Sequence, residues 1–232
     1  MEHFTWFGWI SNSVNHHNIH ILSGALVVLI IVLLSFLYKR SLQSVDKEVV
    51  PTSKFSLKNM VQVSVEGILS MAEGIIGKDA ILYFPLIAAV FIYIFLNNML
   101  GLIPGFLPAT ESPSTNFAVA LTVFLYYNFV GIKKQGFVHY FKHFMGPIWW
   151  LAPLMLVIEL VSHFIRPVTL SVRLLANISG DHIVLGIFSE LVPIVVPVIF
   201  MAFGIFVAFV QAFVFTLLST VYISFATAEE EH

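Results

Sequence analysis

The chain has 232 residues, 59% of them hydrophobic and 10% charged, with a mean hydropathy of +0.94. Soluble domains carry roughly 25% charged residues, so this is the composition of an integral membrane protein, and a formal net charge of −2 offers no basic surface for nucleic acid. No cysteine is present, which excludes disulfides, thiol catalysis and cysteine-based metal sites.

Residues 1–18 hold no Lys or Arg ahead of the first apolar run, and that run is too long for the hydrophobic region of a signal peptide, so a retained N-terminal segment is expected. The run itself, 19–38, is closed by Lys39 and Arg40. About twenty helical residues at ~1.5 Å each cross a hydrocarbon core of ~30 Å, so this is the first predicted span. Residues 54–78 differ. Lys54, Lys58, Gln62, Glu66, Ser70 and Glu73 recur at helical spacing, with Leu57, Val61, Val65, Ile68, Ala72 and Ile75 on the other side. That periodicity predicts an amphipathic helix lying in the membrane interface. A second span is predicted over 81–103, broken by Asn97, Asn98, Gly101 and Pro104, and a third over 115–132, ending at Lys133 and Lys134. The fourth, 149–190, is interrupted by Glu159, Arg166, Arg173 and Asp181, and the fifth, 192–226, carries no charge. Both exceed the bilayer core, so a long tilted hairpin is expected. The fold class is therefore all-α: five transmembrane helices plus one interfacial helix in a single membrane domain.

Lys and Arg near span ends set the orientation. Lys39, Arg40, Lys47, Lys54 and Lys58 follow span one, and Lys133, Lys134 and Lys142 follow span three. The other two connections carry only Glu111 and Glu190. The N-terminus is expected outside and the acidic tail in the cytoplasm. Trp6, Trp9, Trp149 and Trp150 fall at predicted span ends, where amphipathic rings belong.

The polar residues of span four form a stripe. With Arg173 at zero and about 100° per residue, Glu159 falls near +40°, Ser162 near −20°, Arg166 near +20°, Thr169 near −40°, Asn177 near +40° and Asp181 near +80°. A charge at mid-bilayer costs at least ~2.5–3.5 kcal/mol, so such residues face protein or water and usually function. Snorkelling suits Arg166, nearer the cytoplasmic end and beside Pro167; it does not suit Arg173, which has apolar sequence on both sides. Gln211 is the one strongly polar side chain of span five. It reads either as packing glue between helices or as a group that holds the Arg173 guanidinium across the hairpin. His16, His17 and His20 lie close together, but exposed or interfacial histidines are the simpler reading than a metal site. No HExxH, GxSxG or phosphate-loop motif occurs, so no hydrolytic or nucleotide site is expected. A secondary transporter with an anion site at Arg173 is the alternative; the lack of an internal repeat counts against it. An intramembrane hydrolase would need a nucleophile or metal triad that these spans lack.

The stretch ELVSHFIRPVTLSVRLLANISGDHI at 159–183 resembles the signature of subunit a of F-type ATP synthases: an acidic residue, a basic-Pro pair, then Arg-Leu with Asn four residues after the Arg. QAFVFTLLSTVY at 211–222 is similar to the family's last-helix pattern, and NNMLGLIP at 97–104 to the end of another of its helices. The resemblance runs in order over nearly the whole chain. It implies a bacterial inner-membrane subunit that carries ions between two half-channels. Its partners would be a ring of c-type proteolipids, the peripheral-stalk subunit b and the rest of the complex, with no catalytic site and no cofactor of its own. Arg173 would face the ring, Asn177 and Gln211 would stand beside it, Glu159, Ser162 and Thr169 would line the cytoplasmic half-channel, and His182 would belong to the outer one. The ring's own carboxyl site would decide which ion is carried. One position departs from the pattern. Seven residues before the Gln, where members of the family carry His or Glu, this chain has Gly204. Asp181, Glu190 or water is expected to supply the missing group. An ideal helix also sets His182 about 180° from Arg173, which asks for a curved helix or for a channel on another side.

Overall fold

The computed structural model describes residues 19–41, 57–103, 105–137, 140, 150–191 and 195–227. The terminal segments, Trp6, Trp9, His16, His17, Trp149 and the side chain of Glu190 lie outside the described set. Within it the chain is all-helical, with no strand: α1 (Ile19–Ser41), α2 (Leu57–Ile76), α3 (Ala80–Gly101), a single 3-10 turn (Ala109–Glu111), α4 (Pro113–Gln135), α5 (Ala152–Leu191) and α6 (Val195–Thr227). Helices are the expected solution where no water is at hand to satisfy backbone groups. Five of these, α1 and α3 to α6, contain a stretch long and apolar enough to cross a membrane.

Local chemistry explains where two of the helices begin and end. The third span begins at Pro113 because proline at a first helical position loses no intrahelical bond. The amphipathic helix stops at Gly77, whose φ of 85° suits only glycine at little cost. At 40 and 33 residues, α5 and α6 run to about 60 and 50 Å, well beyond a single hydrocarbon thickness.

The core forms around α6, against which α3 and α4 both pack, with α2 closing the side of α3 and α5 the side of α4. Ile87, Ile94, Val123, Tyr127, Leu174, Phe215 and Ile223 are fully buried there. Close approach depends on small residues, as expected without a hydrophobic force between helices in lipid. At Gly131, an added Cβ would stand 2.6 Å from the Tyr140 ring and 3.0 Å from the Ala226 carbonyl oxygen. The amphipathic α2 buries Ile68 and Ala72 against the bundle and leaves Met60 and Val63 exposed. Ser224 donates to the Ile75 carbonyl at 3.0 Å, and Lys134 pairs with Asp79 at 3.0 Å, fastening that end of the molecule. The helix α1 packs only lightly. Ser23 donates to the Leu107 carbonyl at 2.6 Å, while Ile21, Leu29, Val32 and Leu37 remain exposed, as suits a lipid-facing helix.

Candidate functional site

The site is built on α5 and α6. Asn177 donates a hydrogen bond to Gln211 Oε1 across the two helices. The two residues stand at similar distances along the chain from the connection, so the helices run antiparallel. Gln211 is 4% exposed. Its neighbours Thr216, Ser219 and Thr220 are equally buried, but each hydroxyl donates to its own helix, to Ala212, Phe215 and Thr216 carbonyls at 2.8 Å. Gln211 thus differs from these residues in carrying a hydrogen bond over to the facing helix.

Arg173 lies one turn from Asn177. It is exposed and has no hydrogen-bond or ion-pair partner among the described residues. Ser162, Thr169 and Asn177 are exposed with it, and Glu159 is half-exposed, so the polar stripe read from the sequence is an open face of α5. Of the two readings of Gln211, the structure has the hydrogen bond between helices and no contact with the guanidinium. Gln211 Oε1 is taken by Asn177, and its Nε2 is buried without a partner among the described residues.

Arg166 also departs from expectation. It does not snorkel as an isolated cation. Its Nη2 stands 3.4 Å from Glu159 Oε1, and its guanidinium sits over the Tyr222 ring at 5.1 Å. Charge pairing and the aromatic face hold it against the chain. Behind it, Asn128 Oδ1 accepts from the Tyr140 hydroxyl at 2.9 Å and meets His163 Nε2 at 2.8 Å.

The other end of α5 is enclosed. His182 Nδ1 lies 3.2 Å from Glu111 Oε1, and its Nε2 lies 3.2 Å from the Gly101 carbonyl oxygen. His182 faces α3 and the 3-10 turn, which settles the angular conflict with Arg173: the ring belongs to the inner side of α5. The loop is held so that Glu111 reaches it. Thr110 donates to Asn98 Oδ1 at 3.0 Å, and Asn116 donates to the Thr110 carbonyl at 2.7 Å. Pro108 packs so closely on Gly101 that an added Cβ would stand 2.8 Å from its ring.

Between these groups is a cavity of about 20 Å³ lined by Asn98, Asn177, Asp181, His182, Gly204 and Gln211, among others. One water needs roughly that volume. The cavity brings together the four sequence-predicted residues Asn177, Asp181, His182 and Gln211. Arg173 and the Glu159, Ser162 and Thr169 set stay outside it. Leu102 occupies the space over Gly204, where any added Cβ would collide with its side chain.

Asn98 and Glu111 were missed by the sequence reading as site residues. Glu111 carried a signal, being the one charged residue between Asp79 and Lys133. Asn98 carried none beyond its place in the Asn-Asn pair that ends span two.

Residues 21–224 match the family model of the ATP synthase A chain. The chain is 45% identical to "ATP synthase subunit a" of Bdellovibrio bacteriovorus, covering 97% of this chain and 99% of that protein. It is 44% identical to the protein of the same name from Geobacter sulfurreducens, covering 89% of this chain and 86% of that one. With that of Sulfurimonas denitrificans the identity is 41%, over 100% of this chain and 99% of the relative.

Proposed function

The chain belongs to the ATP synthase A chain family, and on that premise we propose that it is the ion-translocating stator subunit of a rotary ATP synthase, with Arg173 facing the ring of proteolipid subunits between two offset half-channels. The observation that carries this reading is the state of Arg173. A guanidinium within an apolar 40-residue helix is exposed and unpartnered among the described residues, with polar groups above and below it on the same helix. An intramembrane cation left open in this way needs an anionic partner from outside the chain.

The physics of the cycle follows. A ring carboxyl crosses lipid only in its protonated form, since the ionised form is too costly there. Opposite Arg173 the cation favours the carboxylate, so the proton leaves to one half-channel. The following ring site is loaded from the other. The guanidinium does not give up its proton, so it also closes the direct route between the two half-channels. Each charge that crosses contributes ~2.3 kcal/mol per 100 mV of membrane potential. Glu159, Ser162 and Thr169 line the cytoplasmic route, and Asn177, Asp181, His182 and Gln211 the outer one. The subunit is non-catalytic and sits in the bacterial inner membrane with its N-terminus outside and its C-terminus in the cytoplasm. It contacts the ring, peripheral-stalk subunit b and lipid.

The test is ATP-driven proton pumping by inverted membrane vesicles that carry the assembled complex with Arg173→Ala. Pumping is expected to fall to the background of vesicles without the complex, while complex content stays normal. Pumping near the wild-type rate would overturn the assignment.

A further inference from the structure

On the reading just given, the outer route needs an ionisable group near the ring-facing arginine, and the position at which the family resemblance predicted one is Gly204. The space beside it is filled by Leu102, so no side chain fits there without displacing that residue. The ionisable groups of this region stand elsewhere. His182 meets Glu111 Oε1 on one ring nitrogen and the Gly101 carbonyl on the other. Both neighbours are hydrogen-bond acceptors when the carboxylate is ionised, so the surroundings suit an imidazole that carries hydrogen on both nitrogens.

We propose that Glu111, delivered by the 3-10 turn, is the positioning carboxylate of the outer half-channel. It fixes His182 in the wall of the one-water cavity shared with Asn177 and Gln211, and it sets the pH at which that route loads.

Three features support this. Glu111 Oε2 is buried and has no partner among the described residues, so the carboxylate keeps one oxygen for a proton or a water arriving from outside. Asn98 Nδ2 and Gln211 Nε2 are also buried donors without partners among the described residues, and both residues line the cavity that His182 lines. The cavity has room for a single water, which both unsatisfied amides would favour there. Among the described residues, the titratable groups around the imidazole are few. Glu111 comes from the 3-10 turn and Asp181 from the histidine's own helix. Facing it, α3 presents Gly101 and Asn98, and α6 presents Gly204, Val207 and Gln211, none of which titrates. The carboxylate in direct contact therefore dominates the local field.

The experiment uses inverted vesicles holding the complete complex. ATP synthesis is driven by a fixed imposed potential while luminal pH is stepped at constant external pH. Rates are divided by the amount of assembled complex. In Glu111→Gln the hydrogen bond to the ring can persist but the charge is gone, and the midpoint of the luminal pH profile is expected to move to lower pH by about one unit. Glu111→Asp should restore the wild-type midpoint. In His182→Gln the luminal titration should vanish, and adding Glu111→Gln should then change nothing further. Glu111→Asn reads the same loss of charge if the Gln variant assembles poorly. A uniform loss of rate at every pH with an unmoved midpoint would make Glu111 a structural residue and overturn the proposal. So would a wild-type profile. Arg173→Ala, run in parallel, separates the two levels: if it abolishes synthesis while Glu111→Gln is silent, only the Glu111 assignment fails; if it is itself silent, the stator reading fails.

Discussion

The two halves of α5 treat their polar groups in opposite ways. On the C-terminal half, Asp181 and His182 are turned inward and meet Glu111, Gly101 and the cavity between α3 and α6. On the N-terminal half, Ser162 and Thr169 lie on the exposed face, and Glu159 and Arg166 pair with each other at its edge. Arg173 stands at the change-over. On the function proposed above, the difference teaches where each ion route would get its walls. The outer route would follow the C-terminal half, enclosed by this chain's own helices. The cytoplasmic route would follow the N-terminal half, which offers only one wall, and a partner would supply the other. Mutations in the outer half should therefore act through precise contacts, and those in the cytoplasmic half through general polarity.

The largest effect belongs to the junction. Arg173→Ala should remove pumping altogether, because both halves depend on one fixed cation. The next tests the enclosed half. Gln211→Leu keeps the volume of α6 but strips Asn177 of its acceptor and removes a polar wall from the cavity. Interhelical hydrogen bonds of this kind contribute about 0.6–1.7 kcal/mol, so ATP-driven pumping per assembled complex should fall about three- to eighteenfold. A rate within twofold of wild type would mean that the enclosed half tolerates loss of its contacts, and the contrast between the halves would break.

A smaller effect is expected on the open side. Glu159→Gln removes the partner of Arg166, but the pair spans 3.4 Å and the carboxylate side chain is 41% exposed. Exposed pairs contribute about 0.2–1 kcal/mol, and the Tyr222 ring still holds the guanidinium. Pumping should fall no more than about fivefold, and Glu159→Ala should fall further, since it also removes the polarity. Equal losses in the two variants would show that the charge itself, rather than a wetted surface, is what the cytoplasmic half requires.

Much of this was legible before any coordinates. Hydropathy marks five spans because lipid permits little else than long apolar helices, and the period of residues 54–78 separates α2 from them. A 100° step puts Glu159, Ser162, Arg166, Thr169, Arg173, Asn177 and Asp181 on one stripe; Ser162, Thr169, Arg173 and Asn177 are exposed, Glu159 and Arg166 lie at the edge of that face, and Asp181 turns to the cavity instead. The step also set His182 on the opposite side of α5, and that geometry was sound. What the sequence could not supply was the partner. Glu111 reaches His182 only because Pro108 folds over Gly101 and Thr110 bonds to Asn98, contacts between residues of a connection that has no period to read. Leu102 over Gly204 is hidden for the same reason. Arg166 was misjudged because Tyr222, distant in sequence, provides the face it stacks on.

The smallest effect bears on α6, where composition misleads. Thr216, Ser219 and Thr220 look like further members of a polar path, since they follow Gln211 on the same helix and are almost wholly buried. Their hydroxyls instead return to carbonyls four residues back, a bond that any helix can make for itself. Such groups satisfy their own burial and present methyl or methylene surface to the neighbouring helices. Ser219→Ala removes one donor together with its internal acceptor contact, and the carbonyl of Phe215 keeps its backbone bond. Pumping and complex content should both stay within about twofold of wild type, as expected when a hydrogen bond contributes ~0.5 kcal/mol or less net. A tenfold loss of pumping at normal complex content would mean that Ser219 turns its hydroxyl toward a transported proton during the cycle. The ion route would then extend along α6 beyond the cavity, and the enclosed half would be longer than the contacts of His182, Asn177 and Gln211 define.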